Sequence, residues 1–172
     1  MPSAYLRALR RLARRDHSEE EIRRALEGDG HEDGEIEEAV ARLRRERALD
    51  DAAFASRFAR SRMAHSGLGR NRIRRDLRAR GVAGRLVERG LLEASREVSE
   101  PALLDRVARR YWSAHTADEP RKRLRKLWGF LLRRGFPAGL VHERLRGLWP
   151  RWSDALEGLE PLDSGDDHGR DS

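Results

Sequence analysis

One apolar frame recurs three times along this chain. Ile22, Leu26 and Gly30 stand four residues apart, as do Ile73, Leu77 and Gly81, and again Leu127, Leu131 and Gly135. Offsets of 51 and 54 residues superimpose the three. Each frame is followed, ten and fourteen residues after its second apolar member, by an apolar pair: Ile36 and Val40, Val87 and Leu91, Val141 and Leu145. A four-residue spacing places both side chains on one helical face. Glycine four residues on suits the left-handed backbone that ends a helix. A repeat of about 45–50 residues is one supersecondary unit that cannot bury both of its faces alone. Units of this kind stabilise one another by stacking in an open row. The expected fold is therefore all-α, with three tandem three-helix repeats in an elongated, curved, solenoid-like row. The units are set at 1–48, 49–98 and 99–152, with bends near 48–50 and 95–100, and residues 95–100 are expected to form a connector.

Local signals fill in the helices. Residues 4–15 place Leu6, Leu9, Leu12 and Ala13 on one stripe. Ser18-Glu19-Glu20-Glu21 has the form of a capping box, in which hydroxyl and carboxylate satisfy each other's backbone N–H groups. A third helix is expected over 32–47. Phe54, Ala55, Phe58 and Ala59 mark the buried face of a helix over about 51–65. Ser99 with Pro101, and Asp118-Glu119 with Pro120, are helix starts, because proline costs little in the first turn. Pro137 opens the last helix. No stretch alternates as a strand would.

Charge is distributed unevenly. Residues 1–56 carry 11 basic and 14 acidic side chains, whereas residues 57–89 carry 11 and 2. Residues 90–152 carry 14 and 7, and residues 153–172 carry 1 and 7. The acidic tail, low in bulky apolar residues, is expected to be disordered. A basic middle between acidic ends attracts polyanions to one region. With no cysteine in the chain, disulfides, thiolate metal sites and a cysteine nucleophile are excluded. Residues 1–15 lack the apolar core of a leader, and no apolar run reaches the roughly 18 residues of a membrane span. The expectation is a soluble, cytoplasmic monomer.

Catalytic signals are weak. The six histidines show no metal spacing, no nucleotide-binding loop or nucleophile elbow occurs, and no cofactor is expected. A hydrolase would rest on scattered carboxylates alone. Adjacent Asp50 and Asp51 read as a helix cap favoured by the helix dipole. Gly67-x-Gly69 opens a basic helix whose start could seat a phosphate, although a plain interhelical turn is the favoured explanation. The stronger candidates are the cations around the frame: Arg70, Arg72, Arg74, Arg75 and Arg78 in the second unit, and Arg121, Lys122, Arg125, Lys126, Arg133 and Arg134 in the third. Guanidinium forks suit phosphates and carboxylates alike, so nucleic acid and an acidic protein surface both fit. Trp112, Trp128, Trp149 and Trp152 are able to stack on bases, with core packing favoured for Trp128.

The stretch LDDAAFASRFARSRMAHSGLGRNRIRRDLRARGV, residues 49–82, resembles the signature of the RecX family, regulators of the RecA recombinase. Leu49, Asp50, Asp51, Phe54, Phe58, Arg60, Arg62, Gly69, Ile73, Leu77, Gly81 and Val82 carry the match. LRALRRLARRDHSEEEIRRAL resembles the family's first repeat and LWGFLLRRGFPAGLV the end of its third. The likeness spans about 4–148. Residues 29–34 are more acidic than the family's pattern, and the tail is an addition. The resemblance implies a non-enzymatic negative modulator with three three-helix repeats. It would bind the groove of the RecA–single-stranded DNA filament and limit filament extension, ATP hydrolysis, strand exchange and repressor cleavage. Weak binding to single- or double-stranded DNA is also implied. A free-standing DNA-binding protein using the Arg-rich helices is the alternative.

Overall fold

A computed structural model describes residues 3–148. The acidic tail with His168, and Trp149 and Trp152, lie outside them. Among the described residues there are nine helices and no strand: α1 (Ala4–Leu12), α2 (Glu19–Gly28), α3 (Asp33–Arg45), α4 (Asp51–Ala64), α5 (Arg70–Ala79), α6 (Gly84–Glu97), α7 (Glu100–Ala114), α8 (Pro120–Arg133) and α9 (Ala138–Leu148). They form three tandem three-helix units, as the repeated frame requires. None of these helices is long and apolar enough to cross a membrane.

The frame is the core. Ile22, Leu26, Ile73, Leu77, Leu127 and Leu131 are all fully buried. Gly30, Gly81 and Gly135 have φ of 83°, 77° and 89°, the left-handed backbone that ends each middle helix. The capping box at Ser18 forms with both of its hydrogen bonds. Ser99 Oγ accepts from the N–H of Ala102, and Glu119 caps α8 by accepting from Arg121 N and Lys122 N.

Three expectations are corrected. Helix α1 buries its leucine stripe only in part: Ala4 and Ala8 are buried, Leu9 and Leu12 are half-buried against the first unit's core, and Leu6 is 47% exposed. Small alanines let α1 lie close on α3, where Tyr5 O–H donates to Glu46 (2.6 Å) under the Arg42 guanidinium. Helix α6 runs to Glu97, so only Val98 and Ser99 connect it to α7. The two adjacent aspartates also part company. Asp50 caps α4 by accepting from Ala53 N (3.0 Å), whereas Asp51 accepts from Glu19 N (2.9 Å), at the start of α2 in the first unit. Burial pushes the Asp51 carboxyl up.

The units meet differently at their two junctions. One apolar cluster runs through the second and third units, and the first unit closes its own around Ile22, Leu26, Val40, Leu43 and Leu49. What joins the first unit to the second is polar. Ser18 O–H donates to Arg80 O (2.5 Å), Arg80 pairs with Glu21, and Arg57 pairs with Asp16 (2.8 Å).

The middle helices are also docked end to end. The carbonyls of Arg134 and Gly135, at the end of α8, accept from Gly69 N (2.9 Å) and Asn71 N (3.0 Å), at the start of α5. The end of α5 in turn meets the start of α2 through Ser18, and a Cβ on Gly81 would come within 2.4 Å of Glu20 Cβ. Carbonyl ends against amide ends satisfy orphan backbone groups and align the helix dipoles favourably.

The polar junction makes the first unit's attachment sensitive to acid. Burial acts to raise the Glu21 carboxyl, but the Ser18 N–H, Arg80 and Arg15 outweigh it and hold it below the ordinary 4.5. A carboxylate lowered in the folded state stabilises at pH above the ordinary value, and that contribution is lost as pH falls through the folded value. Glu21→Gln is expected to cost about 1.5–3 kcal/mol at pH 7, the scale of a hydrogen bond to a charged group. The cost should vanish in strong acid, where wild-type Glu21 is itself neutral. Urea unfolding at both pH values checks this; an equal cost at both would contradict it.

Candidate basic interface

The cations of α5 surround the inward Ile73 and Leu77, and those of α8 surround Leu124, Leu127 and Leu131. Their surroundings divide the eleven candidates by how freely each could meet a partner.

Four are engaged with carboxylates. Arg70 Nε lies 2.6 Å from Glu100 Oε2, and Glu100 is buried. Arg72 pairs with Asp76 at 2.9 Å, one turn along the same exposed helix. Arg74 donates to both oxygens of Glu88 on α6 (2.6 and 3.0 Å) and to Asn71 Oδ1 (2.8 Å). The Glu88 bond raises the Arg74 pKa, and Arg74 lowers that of Glu88. Lys126 donates to both oxygens of Asp118, each at 2.9 Å, which lowers the Asp118 carboxyl. A fifth, Arg134, donates to Ser66 O and Gly67 O and stacks on the Phe130 ring (5.0 Å), stapling the third unit to the second.

The other six, Arg75, Arg78, Arg121, Lys122, Arg125 and Arg133, are exposed. Among the described residues none of these side chains makes an ion pair or hydrogen bond. Exposed ion pairs contribute about 0–1 kcal/mol each, so Arg72 and Lys126 are also available to an incoming anion at little cost. Arg70 is not, because Glu100 would be left buried and unpaired, and Arg134 keeps Nη1 on its two carbonyls.

The α5 start does not wait for a phosphate. Its N–H groups are occupied: Gly69 N and Asn71 N by the α8 carbonyls, and Arg70 N by Glu100 Oε1 (2.8 Å). Glu100 supplies the anion at this helix start. Gly69 is there for close approach, since a Cβ on it would sit 2.5 Å from the Gly135 carbonyl. Trp112 is covered by the Arg123 guanidinium at 4.2 Å, and Trp128 meets His142 edge-on at 6.4 Å.

The exposed arginines of α7, Arg106, Arg109 and Arg110, stand outside these eleven candidates. Their three- and four-residue spacing, opposite the Leu104 and Ala108 stripe, was the available signal.

Comparison with known proteins covers nearly the whole described chain. Family models match in order: the first three-helix domain of RecX at residues 4–43, the second at 50–91 and the third at 99–145. A regulatory protein RecX from Amycolatopsis mediterranei is 34% identical over 131 residues, covering 76% of this chain and 74% of that one. One from Halorhodospira halophila is 39% identical over 134 residues, covering 78% and 81%. The crystal structure of RecX from Lactobacillus salivarius superimposes with a TM-score of 0.74 at 20% identity, covering 84% of this chain and 94% of that one.

Proposed function

The chain belongs to the RecX family of regulatory proteins, and from that premise we propose that it is a non-enzymatic negative modulator of RecA in DNA repair. It lies in the groove of the RecA–single-stranded DNA filament as a cytoplasmic monomer. There it restrains filament extension and so reduces ATP hydrolysis, strand exchange and coprotease activity. The observation that carries this reading is the set of six exposed cations that make no ion pair or side-chain hydrogen bond among the described residues, on middle helices docked end to end. A row of units with such cations along it suits a repeating anionic partner better than a compact one. Arg72 and Lys126 join the set by releasing weakly held carboxylates.

The direct test is RecA's DNA-dependent ATPase. Added chain is expected to suppress it at stoichiometric levels, and undiminished hydrolysis would overturn the reading. The same free cations also favour a second reading, a free-standing DNA-binding protein. With about six phosphate contacts, its affinity for DNA alone would fall roughly a thousandfold between 50 and 200 mM salt.

A further inference from the structure

Between the turn after α4 and helix α7, closed at one end by α8, lies an open cleft of about 830 Å³. We propose that this cleft binds unpaired bases of single-stranded nucleic acid, separately from the outward cations of α5 and α8.

Its charge is of one sign. Arg106, Arg110 and Arg134 line it, and among the described residues no acidic side chain does. Three other clefts among the described residues each include a carboxylate: Glu100, Asp51 or Asp16. Arg110 is exposed and makes no ion pair or side-chain hydrogen bond among the described residues. Among the described residues Arg106 makes only a long bond to Ala64 O (3.5 Å). Arg134 uses Nη1 toward Ser66 O and Gly67 O, which leaves other guanidinium donors for a phosphate.

The cleft also has a ring wall. Tyr111 and His115 stack with centroids 3.9 Å apart and planes 12° apart, and Phe130 lies 4.6 Å from Tyr111. His115 Nδ1 donates to Tyr111 O at 2.8 Å, so the imidazole is already set in its stacking position. His115 is exposed and lines the cleft with one face against Tyr111. Rings beside guanidinium groups are what single strands need, with bases on the π faces and phosphates on the cations. Duplex DNA keeps its base faces covered, and an acidic peptide would use the arginines but gain nothing from the stack. The volume lies within the range of small-molecule sites, roughly 300–1,000 Å³, which is room for a short stretch of strand.

The test is fluorescence anisotropy of the full chain with a labelled oligothymidylate and an abasic strand of equal length. The oligothymidylate is expected to bind about tenfold more tightly, the effect of stacking roughly one base. His115→Ala should remove that preference, and His115→Phe should restore it. Arg106→Glu with Arg110→Glu should weaken both strands, with helix content checked by circular dichroism. Equal binding of the two strands by wild type, or a preference that survives His115→Ala, would overturn the proposal. Competition by oligoglutamate as effective as by oligothymidylate would overturn it too, and would assign the cleft to an acidic protein. The filament reading fails separately: RecA ATPase left uninhibited, with the thymidylate preference intact, would sink that reading alone.

Discussion

Gly135→Ala is expected to destabilise the protein by about 3 kcal/mol or more, through a backbone overlap added to left-handed strain. Position 135 has a φ of 89°, which an alanine adopts only under strain. Its Cβ would also lie 2.2 Å from Arg72 N and 2.8 Å from Arg72 Cα. Those are backbone atoms in the first turn of α5 and cannot rotate aside. Relief requires α8 to withdraw, breaking the bonds from Gly69 N and Asn71 N to the α8 carbonyls. Gly30→Ala is the matched control. Its φ is 83° but nothing lies within 4 Å of the added Cβ, so it should cost only about 1 kcal/mol. Thermal unfolding reads the difference, since 3 kcal/mol corresponds to roughly 6–12 °C for a chain of this size. Hydrogen exchange at Gly69 and Asn71 should quicken in the first variant alone. Equal effects at the two glycines would mean that end-on docking contributes nothing.

Reversing Arg75 and Arg78 to Glu is expected to reduce the slope of log affinity for DNA against log salt by about two. Affinity at low salt should fall by about tenfold or more, since each phosphate contact carries a counterion term. Both side chains are exposed and make no ion pair or side-chain hydrogen bond among the described residues, so stability should move by no more than about 0.5 kcal/mol. Arg74 is left out of the pair deliberately. A glutamate there would face Glu88, and the loss could then come from the fold. RecA inhibition is expected to persist in the double variant, shifted to higher protein concentration, because α8 cations and protein contacts share the binding. Parallel loss of DNA binding and inhibition would favour the free-standing DNA-binding reading.

Much of the fold was legible because its signals are local. The caps at Ser18, Asp50 and Ser99 each involve residues three apart, and the buried pairs of the frame follow helical periodicity. The stripe in α1 misled in part, since Leu9 and Leu12 do pack against the core, and for a physical reason. Leucines at helical spacing look like a core face, yet close helix contact selected Ala4 and Ala8 and left Leu6 exposed. The candidate interface was legible as composition but not as availability. Arg74, Arg75 and Arg78 are alike in sequence, and only the arrival of Glu88 from α6 separates the first from the others. The rings of Tyr111, His115 and Phe130 come from two helices, so no spacing announces their stack.

Sequence alone determined the number of units, the helices within them, the inward residues of each middle helix and the excess of cations around them. These follow from periodicity and from glycine's tolerance of positive φ, which neighbours in the chain settle between themselves. Tertiary structure decided how the units join. Gly30, Gly81 and Gly135 share one backbone conformation, yet Gly30 ends at open space, Gly81 abuts a glutamate side chain and Gly135 abuts the backbone of α5. Asp51 caps a helix of another unit, and Glu100 occupies the helix start where a phosphate had seemed admissible. Each outcome depends on which group packing brings within hydrogen-bonding distance, and residues distant in the chain supply that group.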